Sequence, residues 1–317
     1  MSARTALRTE VMKMAKDQVA VKKKRNINNI AYPFVLPFVV VFLIFCIYPV
    51  LRTFYLSFTN YRGFGEAAFN GIANYTRVIG DKFFWKGLWN TLKMWGVNIV
   101  LQLGLAFVLT IVFSDIKYKM RGLAIFRAVY YLPNLIAATS VAFLFKTLLD
   151  WKYGSVNQIL MSIGLIDEQI NWLGSMHTAP YVISVIQTWM WFGNSFIMLM
   201  AGVQGIPKDY FEAAAIDGAG RWTVFAKITL PLLKPIMLYV FITSLIGGIQ
   251  LFDLPFLISG TTAGTPSGSL QTAVMYLYKF GFETGQVGYA SAIAYTMFAI
   301  ILILSLVQFK LLGKENK

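Results

Sequence analysis

The chain has 317 residues, 57% of them hydrophobic and 13% charged, with a mean hydropathy of +0.61. Soluble domains average about 25% charged residues, so this composition excludes two soluble domains, a disordered chain and a collagen-like fibre, and fits a polytopic membrane protein. A single Cys (Cys46) and a single His (His177) exclude an internal disulfide and a His-plus-Cys metal site, and a net charge of +14 belongs on one membrane face rather than on nucleic acid.

In chain order, residues 1–31 read as a basic cytoplasmic tail and residues 32–317 as a transmembrane domain. In the tail, Leu7, Val11, Met14 and Gln18 recur at helical spacing among basic residues, which suits either the anionic inner leaflet or a solvated arm. The apolar stretch that follows residues 22–25 is too long for a signal-peptide core, so no cleaved signal is expected. Bulky Ile44 and Phe45 stand where a lipid-attachment signal needs small residues, which leaves Cys46 as a small core residue.

Windows 26–51, 94–114, 128–145, 169–207, 235–252 and 284–309 hold no Lys, Arg, Asp or Glu. Each has room for most or all of the roughly 20 apolar residues that a membrane helix requires. The spans are expected at about 33–58, 88–113, 123–149, 179–203, 236–258 and 287–311, giving an all-α fold with six transmembrane helices. Residues 259–269 read as a loop, rich in Ser, Gly and Thr. Tyr130, Tyr131, Pro133 and Asn134 suggest a kink in span three, although they can also line a path. Arg52, Lys93, Arg127 and Lys146 near span ends are expected to snorkel.

Six spans put both termini on one face. That face collects the tail, Lys117, Lys119 and Arg121, then Lys208, Arg221, Lys227 and Lys234, then Lys310, Lys314 and Lys317, eighteen basic residues in all. The other face has six: Arg62, Arg77, Lys82, Lys86, Lys152 and Lys279. The excess predicts cytoplasmic termini at the plasma membrane. No phosphate-binding loop, His-Glu-x-x-His or Gly-x-Ser-x-Gly appears, and Asp253 is the one acid inside an expected span. No ATP site, catalytic residue, metal or cofactor is therefore expected in this chain.

The loop 205–235 has its own architecture. Pro207 suits a first helical turn, Asp209 and Glu212 suit its positive end, and Ala213, Ala214 and Ala215 are strong helix formers. Gly218 and Gly220 can adopt φ > 0 and end that helix, and a second helix from Arg221 is expected to stop at Pro231.

Glu212, Ala213, Ala214, Asp217, Gly218, Ala219 and Gly220, with Phe225, Ile228 and Pro231 downstream, resemble the EAA motif of membrane subunits of binding-protein-dependent ABC importers. Tyr48-Pro49, Ser57-Phe58-Thr59, Gly71, Asn74-Tyr75, Phe84-Trp85 and Asn90-Thr91 resemble the sugar-importer branch in its MalF/UgpA-like half, and the likeness covers about residues 32 to 312. The resemblance implies a type I importer permease fold, a second permease subunit in a heterodimer, two ATPase subunits holding ATP and Mg, and an extracellular solute-binding protein. It also implies that Glu212 meets a basic group in an ATPase cleft and that Gly218 permits the bend.

Polar residues inside spans point to a pathway. Gln187, Trp191 and Asn194 share one face of span four, and a ring flanked by amides suits a sugar. In span five, Ser244, Gly247, Gly248 and Leu251 repeat that spacing, with Gln250 and Asp253 on adjoining faces. Both sets are also compatible with helix packing. The reading is a carbohydrate permease subunit in the lipid bilayer. Its alternatives are a permease for a solute such as glycerol phosphate, an intramembrane enzyme, and an ion-driven carrier.

Overall fold

The computed structural model describes Glu10 and residues 27–113 and 122–312. Leu7, Val11, Met14 and Gln18 and the basic residues Lys117, Lys119, Arg121, Lys314 and Lys317 lie outside the described residues. Those described are almost wholly helical, with one isolated bridge between Thr59 and Phe69.

Two compact units divide at Tyr55 and Leu56. The first is helical, running through Ile27–Phe42, a wide turn at Leu43–Ile47, and then Tyr48 onward. Its apolar stretch Tyr32–Ser57 has 26 residues, about 39 Å of helix at 1.5 Å per residue, enough to cross a bilayer.

From Leu56 on, the remaining spans are Lys82–Phe113, the pair Leu123–Leu135 and Ala138–Leu148, then Ala179–Gln204, Lys234–Ser259 and Val287–Leu311. We number them two to six. Span two starts six residues before the expected 88, because Lys82 and Lys86 sit in its polar first turns.

Polar contacts fix the directions of the spans. Ser184 Oγ donates to Met94 O (2.9 Å), Asn98 Nδ2 to Thr188 Oγ1 (3.2 Å), and Gln102 Nε2 to Ser195 Oγ (2.7 Å). The partners advance together along both helices, so spans two and four are parallel. Such interhelical bonds contribute about 0.6 kcal/mol each within a membrane. The chain must therefore return between spans two and four, and the pair Leu123–Leu135 and Ala138–Leu148 makes that return. Phe126 meets Phe113 at the end of span two (5.5 Å), and then Tyr130 meets Phe196 (5.9 Å) and Phe145 meets Trp189 (5.6 Å), stepping back along span four.

That return is bent by 89°, far beyond a proline kink. Ile136 and Ala137 take extended ψ values of 133° and 137°, so the helix stops and restarts. Span five is also discontinuous: Lys234–Ile249 ends, residues 250–252 are irregular, and Asp253–Ser259 resumes. Pro255 has no N–H for the Leu251 carbonyl four residues back, so the helix cannot run through. The span expected at about 236–258 is found as Lys234–Ser259, with this interruption inside it.

At the end of the bundle opposite the 205–235 loop, side chains staple the chain to itself. Asn74 Nδ2 donates to the carbonyls of Ser57 (3.0 Å) and Thr59 (2.8 Å). Asn90 Nδ2 donates to those of Gly268 (2.9 Å) and Gln271 (3.1 Å), and Thr91 Oγ1 accepts from Ala273 N (3.1 Å). Asp81 accepts from the hydroxyls of Tyr276 (2.5 Å) and Tyr289 (2.7 Å), and the Arg77 guanidinium lies 3.7 Å from the Tyr289 ring centroid. Burial pushes the Asp81 carboxyl up, but these hydroxyls and the N–H groups of Phe83 and Phe84 outweigh it and hold the group below its usual 3.8.

Candidate translocation cavity and coupling hairpin

Both helix breaks open on one cavity of about 420 Å³. Asn134, Ile136 and Ala138 line it from the bend in span three; Gln250, Leu251, Phe252 and Asp253 line it from the gap in span five. Irregular backbone at membrane depth is tolerated where it faces such a space. All eight path residues named from the sequence lie on its wall: Gln187, Trp191, Asn194, Ser244, Gly247, Gly248, Gln250 and Asp253.

The geometry sorts them. Trp191 is 45% exposed, with its ring available from the cavity. No hydrogen bond within the described residues engages the side chains of Gln187, Asn194, Gln250 or Asp253. Ser244 is engaged, since its Oγ accepts from Trp95 Nε1 at 3.1 Å. The two glycines differ. A methyl group on Gly247 would meet nothing within 4 Å, whereas one on Gly248 would collide with the Trp95 indole. Gly248 therefore makes room for a neighbouring ring, and Gly247 leaves the cavity wall open.

Span two supplies wall residues that the sequence reading missed: Trp95, Asn98 and Gln102. Their spacing marks a polar face as plainly as that of span four. Their amides, however, spend their hydrogen bonds on Thr188 and Ser195.

The hairpin after span four begins with the helix Lys208–Ile216. It ends in paired reverse bonds, Gly218 N to Ala215 O (3.2 Å) and Ala219 N to Ala214 O (2.9 Å), with Gly218 at φ +68°. That is a Schellman cap with glycine in its left-handed position. Gly220 departs from expectation: its φ is −71° in extended backbone, so it precedes the next helix without needing a positive φ. Pro231 also departs, because it does not stop the second helix. The preceding turn Phe225–Thr229 is widened to i+5 hydrogen bonding, and the break falls at Leu233, just before Pro235 opens the next helix. Widening the turn relieves the clash that a proline ring makes with the carbonyl four residues back.

Ala214 is buried against the chain's own bundle, and Phe225 meets Phe107 at 6.1 Å, which anchors the hairpin. Glu212, Ala213, Asp217 and Pro231 remain exposed, Ala219 is half-buried, and Ile216 and Trp222 stand 87% and 71% exposed beside them. That combination is an anchored, capped elbow presenting a carboxylate and two large apolar side chains.

Residues 117–312 match the family described as "Binding-protein-dependent transport system inner membrane component". The chain is 33% identical over 291 residues to the lactose transport system permease protein LacF of Rhizobium radiobacter, covering 92% of this chain and 95% of that protein. It is 32% identical over 283 residues to the arabinooligosaccharides transport system permease protein AraP of Bacillus subtilis (strain 168), covering 89% and 88%. Its fold matches a crystal structure of a bacterial ABC transporter involved in the import of the acidic polysaccharide alginate, with a TM-score of 0.75 and 22% identity over 91% of this chain and 96% of that one. The chain belongs to the binding-protein-dependent transport system inner membrane components, the permease subunits of ABC importers.

Proposed function

We propose that this chain forms half of a channel that passes a carbohydrate delivered by an extracellular binding protein, and that separate ATPase subunits drive it through the 205–235 hairpin. Both termini are cytoplasmic in this reading, and a second, different permease subunit completes the channel. ATP and Mg²⁺ are held by the ATPases, and this chain contributes docking and a path. Lactose and arabinooligosaccharides in the names of relatives favour a sugar as cargo.

The observation that carries the reading is the cavity where two broken spans meet. Free amides and an accessible indole face one space there. Amides both donate to and accept from hydroxyls, and a Trp ring covers the C–H face of a sugar. At the hairpin, Glu212 can form a charge-assisted bond with a basic group of the ATPase.

The test is uptake of labelled sugar into proteoliposomes containing the complete importer. Trp191→Ala removes an aromatic contact worth about 0.5–1.5 kcal/mol beyond its area burial, so uptake at limiting sugar should fall by roughly threefold to tenfold. Glu212→Ala should reduce copurification of the ATPase. Unchanged uptake together with unchanged copurification would refute the assignment.

A further inference from the structure

We infer that the cavity wall of this chain selects uncharged oligosaccharides and rejects acidic ones, with Asp253 as the residue that sets this specificity. The inference rests on reading the cavity as a sugar path. Sharing the fold does not decide the question, since the alginate importer takes an acidic polysaccharide.

Charge on the wall is one-sided. Among the described residues, the cavity is lined by no Lys, Arg or His, and Asp253 is its sole ionisable acid. Two cations near lining residues in sequence, Lys93 and Arg127, are occupied elsewhere. The Lys93 ammonium lies 4.6 Å from the Tyr181 ring centroid, and the Arg127 guanidinium donates to the Gln204 amide oxygen at 2.6 and 3.1 Å when that amide is turned to accept. Nothing on this wall can pair with a carboxylate, sulfonate or phosphate.

The polar groups suit neutral hydroxyls instead. Side chains of Asn134, Gln187, Asn194 and Gln250 face the cavity without a hydrogen-bond partner among the described residues. Each offers one acceptor and two donors, which matches hydroxyls of either polarity. The Asp253 carboxylate accepts only, and it can take charge-assisted bonds from two neighbouring sugar hydroxyls. Trp191 supplies the apolar surface. An acidic sugar brought to the same place sets a second negative charge near Asp253, and the two like charges repel.

The experiment uses the assembled permease–ATPase complex in nanodiscs without its binding protein, so that the cavity alone does the selecting. Tryptophan emission reports occupancy, and the same complex carrying Trp191→Phe provides the blank. The probes are maltotriose, arabinotriose and raffinose as neutral sugars, with trimannuronate and glycerol 3-phosphate as anions. At least one neutral probe should bind, and both anions should bind at least about tenfold more weakly. Asp253→Asn should weaken the neutral probe and bring trimannuronate to within about threefold of it, while Asp253→Glu keeps the wild-type order. Elution as an intact complex confirms that each variant folds. Anions that bind wild type as tightly as the best neutral probe, or an unchanged preference in Asp253→Asn, would overturn the charge filter and leave sugar passage standing. If no carbohydrate of either kind binds, the reading of the cavity as a sugar path fails, and this inference with it.

Discussion

Gly218 offers a sharp test of how the hairpin works. Its φ of +68° lies in the left-handed region, yet a Cβ placed there would meet no atom of the chain within 4 Å. Within this chain the need for glycine is therefore conformational and not spatial. An L-residue in that region costs about 1–2 kcal/mol, Asn less than Ala, and a β-branched residue more. If the ATPase docks only on the capped elbow, that cost passes directly into the docking equilibrium. Gly218→Ala should then weaken docking roughly fivefold to thirtyfold, Gly218→Asn by less, and Gly218→Val by the most. A partner pressing on the Gly218 backbone would give a different order, with Ala tolerated best because it is smallest. The assay is titration of purified ATPase onto the permease pair in nanodiscs, alongside solute-stimulated ATP hydrolysis. If Ala docks as well as or better than Asn, the elbow is not limited by its left-handed turn, and the reasoning from φ is refuted.

Other predictions address the Asp81 clamp, the helix packing and the topology. The folded-state pKa of Asp81 is depressed, so the clamp's contribution to stability is present above the unfolded value near 3.8 and is lost as pH falls through the lower folded value. Thermal unfolding of the purified complex should show a pH-dependent loss in that acid range, smaller in Asp81→Asn, which should also be less stable at neutral pH. Gly248→Ala should lower the unfolding temperature because its methyl group meets the Trp95 indole, whereas Gly247→Ala should leave it unchanged or raise it. Equal effects of the two would contradict their assigned roles. Cysteines introduced near Lys22 and Lys314 should label only with a membrane-permeant reagent in intact cells, and labelling of both by an impermeant one would overturn the orientation.

The apolar helices were legible because membrane helices exclude charge, and charge-free windows mark that exclusion directly. The helix breaks were legible only in part. Pro133 announced a disturbance in span three, but the reversal falls at Ile136 and Ala137, where the backbone turns toward the cavity. Pro255 lies inside the expected fifth span, but the interruption falls before it, at residues 250–252, and the helix resumes at Asp253. Gly218 and Gly220 are indistinguishable as letters, and only the hydrogen bonds of the cap show which one holds the positive φ. Gly247 and Gly248 pose the same problem, because the position of Trp95 on another helix decides which of them packs. Trp95, Asn98 and Gln102 obeyed the same spacing rule as span four, and they could have been found by applying it to every span.

In the proposed path, cargo crosses through the cavity where spans three and five break. Gly247 lies on that wall, and a Cβ added there meets no atom of the chain within 4 Å, so a side chain can be started there without an immediate clash. The decisive measurement is sugar uptake and ATP hydrolysis in the same proteoliposomes bearing Gly247→Trp. The complex should assemble and hydrolyse ATP at its basal rate while uptake is lost. Wild-type uptake through an assembled Gly247→Trp complex would show that cargo does not pass this way.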